Sequence, residues 1–155
     1  MEFAVEHSPE QPLAAIVERI AMNEIGARAM VNLDRLQAFL KRHEDLRLPG
    51  GHNVFVYRGK DRPPPDGRTA VDFAVQVSRT FAGADGIACT STPAGRVATA
   101  RHIGPYHLLA RTHAAVQNWA HANGHRLAGT DWEIYGDWND DPAKLETRVC
   151  YLLAP

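Results

Sequence analysis

Glu133 stands in the middle of an apolar run, Trp132-Glu133-Ile134-Tyr135. A carboxylate in such a place can neutralise a bound cation, take a proton from water, or sit on the solvated face of a half-buried strand. Alternate side chains of an extended strand point to opposite faces, so Glu133 and Tyr135 share one face while Trp132 and Ile134 share the other. A second run, Asn53-Val54-Phe55-Val56-Tyr57, presents Phe55 and Tyr57 in the same way. Phe55, Tyr57, Glu133 and Tyr135 would then line one concavity. Rings supply cation–π attraction and apolar area, and the acid supplies the countercharge, which suits a lipophilic cation.

Other residue types offer less. His102 lies at a strand-to-helix junction, where a structural hydrogen bond is the commoner role. His121 and His125 have helical i, i+4 spacing, but Gly124 intervenes and no HExxH pattern exists, so no metal site is expected. GxGxxG, Walker and GxSxG arrangements are missing. Cys89 and Cys150 lie in alternating apolar runs and read as reduced core residues. Arg101, Arg111 and Arg126 read as solvated charges, and Trp119 as core. Trp138 falls in a polar loop, as a pocket rim or a surface plug.

The two aromatic runs lie about 78 positions apart, and so do Ile25-Gly26 and Ile103-Gly104. The chain therefore reads as two like halves, about 1–80 and 81–155, in one domain. In the first half, Phe3–His7 and Leu13–Asn23 are expected strands around the turn Ser8-Pro9-Glu10-Gln11-Pro12. A helix follows Gly26, with Met30, Leu33, Leu36, Phe39 and Leu40 on one face. Pro49-Gly50-Gly51 ends it. Strands His52–Arg58 and Thr69–Ser78 follow, separated by the proline-rich loop Gly59–Gly67. In the second half, Gly86–Ser91 and Arg96–His102 are strands, and Pro105 opens a helix carrying Leu109, Thr112, Val116 and Trp119 on one face. Asn123-Gly124 closes that helix, and Trp132–Tyr135 and Thr147–Leu153 are the last strands. The fold class is α+β: two pseudo-symmetric β-β-α-β-β repeats forming one antiparallel sheet, with two helices on one face and a ligand cavity at the seam. The other face must be open, capped or concave. Two ferredoxin-like subdomains side by side are the alternative.

Seventeen basic and eighteen acidic residues nearly balance, and no basic stripe is visible. Direct nucleic-acid binding by this chain is therefore not expected. Nothing approaches 18 consecutive apolar residues, the threshold for a spanning helix, so no membrane role is expected. The N-terminus lacks a signal-peptide layout, and a cytoplasmic location is the expectation.

The run Val97-Ala98-Thr99-Ala100-Arg101-His102-Ile103-Gly104-Pro105-Tyr106, a helix ending near Trp119, then Trp132-Glu133-Ile134-Tyr135 and a final strand, resembles the GyrI-like domain family. That family includes effector-binding domains of multidrug-sensing transcription activators, the DNA gyrase inhibitory protein and some free-standing hydrolases. The resemblance is specific in the second half and weaker in the first, where Asn23-Glu24-Ile25-Gly26 stands in for the first segment. It implies a small-molecule cavity between the repeats, with Glu133 as the cavity acid and Tyr135 as its companion. Trp132, Tyr106 and Trp138 join the candidate ligand contacts. Many relatives carry an acid in the last strand where this chain has Thr147-Arg148-Val149. Arg148, should it enter the cavity, would pair with Glu133, and Asp72 would supply the missing charge. The chain lacks a helix-turn-helix and would not form a complete activator alone.

The leading expectation is a stand-alone binding protein that senses or sequesters an aromatic or lipophilic compound, without a cofactor. The alternative is a hydrolase of electrophilic cyclopropane-type toxins, with Glu133 activating water and Tyr135 polarising the substrate. Burial would then raise the Glu133 pKa toward neutrality. A third possibility is a regulator acting through a protein partner such as DNA gyrase. Haem would need an axial ligand, for which only His102 is a candidate.

Overall fold

A computed structural model describes residues 1–59 and 65–155. The eight strands are β1 (Phe3–Ser8), β2 (Gln11–Ile20), β3 (Asn53–Arg58), β4 (Thr69–Gln76), β5 (Ala88–Thr92), β6 (Gly95–Ile103), β7 (Leu127–Tyr135) and β8 (Glu146–Leu153). The main helices are α1 (Ile25–Arg42) and α2 (Leu109–Ala122), each entered through a short 3-10 turn. The expected loop at Gly59–Gly67 lies partly outside the described residues.

All eight strands join one antiparallel sheet in the order β1-β6-β8-β7-β3-β4-β2-β5. The chain is thus an α+β fold of an eight-stranded sheet and two main helices. The order reads the same from either end when β1–β4 are exchanged with β5–β8. β3 and β7 meet at the centre, where Phe55 pairs with Glu133 and Tyr57 with Asp131.

One connection was not legible in the sequence. β1 does not pair with its neighbour β2 but crosses to β6, while β5 crosses to β2. The two ladders keep a single register, from Phe3↔Ala100 through Ser8↔Gly95 to Gln11↔Thr92 and Ala15↔Ala88. They read as one long ribbon, interrupted at Pro9-Glu10 and Pro93-Ala94. Two residues between β1 and β2 bridge only about 11 Å, yet these strands lie toward opposite ends of the sheet. The sheet must curl to bring its ends together.

That curl explains how a face without helices is buried. Leu13, Ala15, Val54, Val56, Ala74, Val97, Trp132 and Cys150 form a core of their own on the inner face. The outer face carries both helices. Ala14, Ile16, Val75 and Val77 receive Leu36, Phe39 and Leu40 of α1. Ala98, Ala100, Val149 and Tyr151 receive Leu109, Val116 and Ala120 of α2. These helix residues recur at three-, four- and seven-residue spacing, which makes one apolar stripe on each helix. Met30, expected on that stripe, is instead 71% exposed. Gly124, at φ 78°, ends α2 in the left-handed region that favours glycine. Among the described residues, no helix is long and apolar enough to cross a membrane.

Candidate functional site

Strand parity puts Asp131, Glu133 and Tyr135 of β7 on the outer face, with Phe55 and Tyr57 of β3 beside them. The two helices cover the outer parts of the sheet, so these central residues floor the trough between α1 and α2. Leu33, Ala29 and Ile25 of α1 close one side over Phe55, Tyr57 and Phe73. Leu109 and His113 of α2, with Tyr106 from the turn before it, close the other.

Glu133 is only 4% exposed, yet its carboxylate is well supplied with donors. Oε1 accepts from the hydroxyls of Tyr57 at 2.7 Å and Tyr135 at 2.8 Å. Oε2 lies 2.9 Å from Nε2 of His113, whose N–H donates to it. The other ring nitrogen of His113 lies 2.7 Å from the Tyr151 hydroxyl and 3.6 Å from an Asp131 oxygen. Burial pushes the Glu133 carboxyl up, but hydrogen bonds and the charge of His113, with the bonds from Tyr57 and Tyr135, outweigh it and hold the group below the usual carboxylate range. This corrects the expectation that burial would carry Glu133 toward neutrality. The same cluster holds the phenols protonated. Burial first, then the Glu133 charge, pushes Tyr57 and Tyr135 above their ordinary range. Burial, then Asp131, does the same for Tyr151.

An aromatic path leads out of this cluster. Phe73 meets Phe55 edge-on with centroids 5.0 Å apart, Phe55 meets Tyr135 at 4.9 Å, and Tyr135 meets Tyr106 at 5.3 Å. Tyr106, 37% exposed, is the outer end. Its position is set by the segment from His102 to Tyr106. The buried ring of His102 donates from Nε2 to the Pro105 carbonyl at 3.0 Å and takes the Thr112 hydroxyl on Nδ1 at 2.7 Å. Gly104, at φ 134°, bonds its N–H to the Leu145 carbonyl. His102 is therefore satisfied by the protein itself.

Phe55, Tyr57, Glu133, Tyr135 and Tyr106 come together. Four other candidates do not. Trp132 projects to the opposite face and is buried there beside Val56 and Cys150. Arg148 lies on that inner face too and pairs with Glu6, which β1 brings alongside through β6. Asp72 is on the same side, held by Arg58 at 2.8 Å. Trp138 is 72% exposed in its loop, and its ring N–H bonds Asp140. His113, Asp131 and Tyr151 are the participants that sequence reasoning missed. Parity along β7 already placed Asp131 with Glu133, and parity along β8 would have placed Tyr151. His113 follows Leu109 by one helical turn, but nothing local marks it as the residue over the carboxylate.

Two hollows open elsewhere. A groove of about 930 Å³ is lined by Glu2, Glu6, His52, Ile134, Thr147 and Arg148 among others. A smaller one of about 410 Å³ lies by the C-terminal end of α1. Glu133 lines neither; its carboxylate is packed against Tyr57, Tyr135 and His113. Among the described residues, no group of three or more His, Cys, Asp and Glu is placed to hold a metal ion.

The fold has solved counterparts. The crystal structure of the EcmrR C-terminal domain superposes with a TM-score of 0.84 at 19% identity, covering 99% of this chain and 97% of that one. SAV2435 bound to tetraphenylphosphonium gives 0.68 at 13% identity, covering 99% and 94%. A hydrolase encoded by lin2189 from Listeria innocua gives 0.60 at 10% identity, covering 99% and 92%. Identities this low establish the fold alone. A search of curated proteins finds no match. A family profile described as "GyrI-like small molecule binding domain" matches residues 1–153. The chain belongs to the GyrI-like family of small-molecule binding domains.

Proposed function

We propose that this domain captures an aromatic, lipophilic cation in the trough between α1 and α2, with the positive charge set against Glu133, and so senses or sequesters it. The observation that carries this reading is a buried carboxylate held ionised beside a file of aromatic rings that runs out to Tyr106. An ionised acid among rings, deep enough to escape screening, attracts a cation far more strongly than it would at the surface. The relative solved with tetraphenylphosphonium carries such an ion on the same fold.

The ligand needs room that the free trough does not offer. Tyr106 and Tyr135 must part, and a hydroxyl donated to Glu133 must give way. Hydrolysis fits this site less well. A general base works best when its pKa lies near the working pH, whereas Glu133 is held low and already accepts three hydrogen bonds.

The test is calorimetric titration with tetraphenylphosphonium and with its neutral isostere tetraphenylmethane made soluble by a carrier. Calorimetry is the right readout because none of the three tryptophan rings belongs to the Glu133 cluster: Trp132 packs on the inner face, Trp138 lies in its loop, and Trp119 is stacked on Phe3. The cation should bind more tightly than the neutral compound, and Glu133→Gln should weaken the cation by about tenfold or more while leaving the neutral one within about twofold, as expected for loss of one charge-assisted contact. Equal binding of the two compounds to the unmodified protein would overturn the proposal.

A further inference from the structure

One polar group beside the trough is left without a partner. The hydroxyl of Thr147 is buried, the residue being 1% exposed, and it makes no hydrogen bond among the described residues. Strand pairing gives its place in the sheet. Thr147 pairs with Tyr135 on one side and His102 on the other. Val149 and Tyr151, its neighbours of the same parity, lie in the core beneath α2. The Thr147 side chain therefore points to the Glu133 face, below the turn that carries Tyr106. Directly opposed side chains in such a ladder stand about 5 Å apart at Cβ, so Thr147 adjoins Tyr135. Neither neighbour pairs with it. The Tyr135 hydroxyl donates its proton to Glu133, and both nitrogens of His102 are taken by Thr112 and Pro105.

A buried hydroxyl with no partner is costly, and native proteins rarely leave one. Valine would fill the same space without that cost. We infer that Thr147 is a ligand-contact residue, and that the ligand is an aromatic cation bearing its own hydrogen-bonding group, such as a hydroxyl or amine on a ring, rather than a purely hydrocarbon cation. This rests on the trough reading above and sharpens it. Tyr106 lies over Tyr135. When that pair parts, the Thr147 hydroxyl is uncovered next to the aromatic wall, on the strand adjoining the one that bears the carboxylate. Because the free protein already carries the desolvation cost of that hydroxyl, a ligand that pairs with it gains more than it would from a hydroxyl exposed to water.

The experiment compares tetraphenylphosphonium with (4-hydroxyphenyl)triphenylphosphonium, near pH 6 so that the phenol stays neutral, on three proteins. The unmodified chain should bind the hydroxylated ion about 5- to 10-fold more tightly, the scale of one hydrogen bond. Thr147→Ser should keep that preference. Thr147→Val should abolish it, the two ions then binding within about twofold of each other, which isolates the pairing in a double difference. Thr147→Val should also melt no lower than the unmodified protein, since it removes a polar group that has no partner. A preference of the same size in Thr147→Val, or no preference in the unmodified chain, would overturn the assignment while leaving the cation trough standing. A lower melting point for Thr147→Val would show that the hydroxyl is already paired and overturn it as well. Failure of both ions to bind the unmodified chain would instead bring down the trough reading, and this inference with it.

Discussion

Glu133 keeps its charge through its neighbours rather than through water. Two phenols and an imidazole supply three hydrogen bonds to a side chain that solvent scarcely touches. A folded-state pKa below the ordinary value of 4.5 means that the unfolded chain takes up this proton more readily. The associated stability is therefore fully present above about pH 4.5 and is lost as the pH falls through the lowered value. Glu133→Gln should cost about 1–3 kcal/mol near neutral pH, where it breaks bonds to a charged acceptor. The cost should shrink as the pH falls through the lowered value, where the wild-type carboxyl loses its charge. Urea unfolding of both proteins across an acid pH series measures this. A gap of constant size would mean that Glu133 is not ionised in the folded protein. Much of this site is legible at the residue scale. The run Trp132 to Tyr135 fixes which side chains share the Glu133 face, and the second aromatic run supplies Phe55 and Tyr57. His113 was not legible, because its meeting with Glu133 depends on where α2 crosses the sheet.

At the scale of elements, the junction between β6 and α2 decides where His113 and Tyr106 stand. His102 fastens the two by bonding Thr112 on the helix and Pro105 on the turn. Thr112→Val keeps the shape but leaves a buried ring nitrogen unpaired. It should destabilise the fold by about 1–3 kcal/mol and loosen the base of α2. Hydrogen exchange of the α2 amides should accelerate more than that of α1; equal acceleration in both helices would mean that the contact is not local to the junction. The same scale shows why Arg148 was hard to place. Its alternation with Val149 along β8 could be read directly. Its partner could not, because Glu6 arrives on β1, which leaves the strand that follows it in sequence and pairs across the molecule with β6. Sequence neighbours that pair elsewhere in space leave no local signal. Asp72 is lost to the trough for the simpler reason that its parity sets it with Ala74 on the inner face, opposite Val56 and diagonal to Arg58, which pairs with it.

For the whole molecule, the curl of the sheet separates two interiors. The inner face closes on itself around Trp132, while the outer face is shared between two helices that leave a central strip for aromatic and ionisable groups. Composition and alternation made the α+β class legible. The curl was not, since it follows from the exchange of β1 and β5 between the ends of the sheet. Three of the four tyrosines converge on the central strip from β3, β7 and β8. Burial, reinforced by Glu133 and Asp131, raises all three above the ordinary phenol value of 10. Protons are then held more tightly by the folded chain than by the unfolded one. The stability they contribute is complete below pH 10 and drains away as the pH climbs beyond it. Since these phenols span three strands and contact α2, none can ionise without opening the centre of the molecule. An alkaline titration should show phenolate absorbance from Tyr106, the exposed one, at the lowest pH of the four. The remaining three should appear together, in one step coincident with loss of the far-ultraviolet circular dichroism of the sheet. Replacing Tyr57 with Phe should reduce that step by about a third. A smooth rise of all four phenolates while the circular dichroism stays intact would show that the trough is open to water and that its tyrosines do not hold the central strands together.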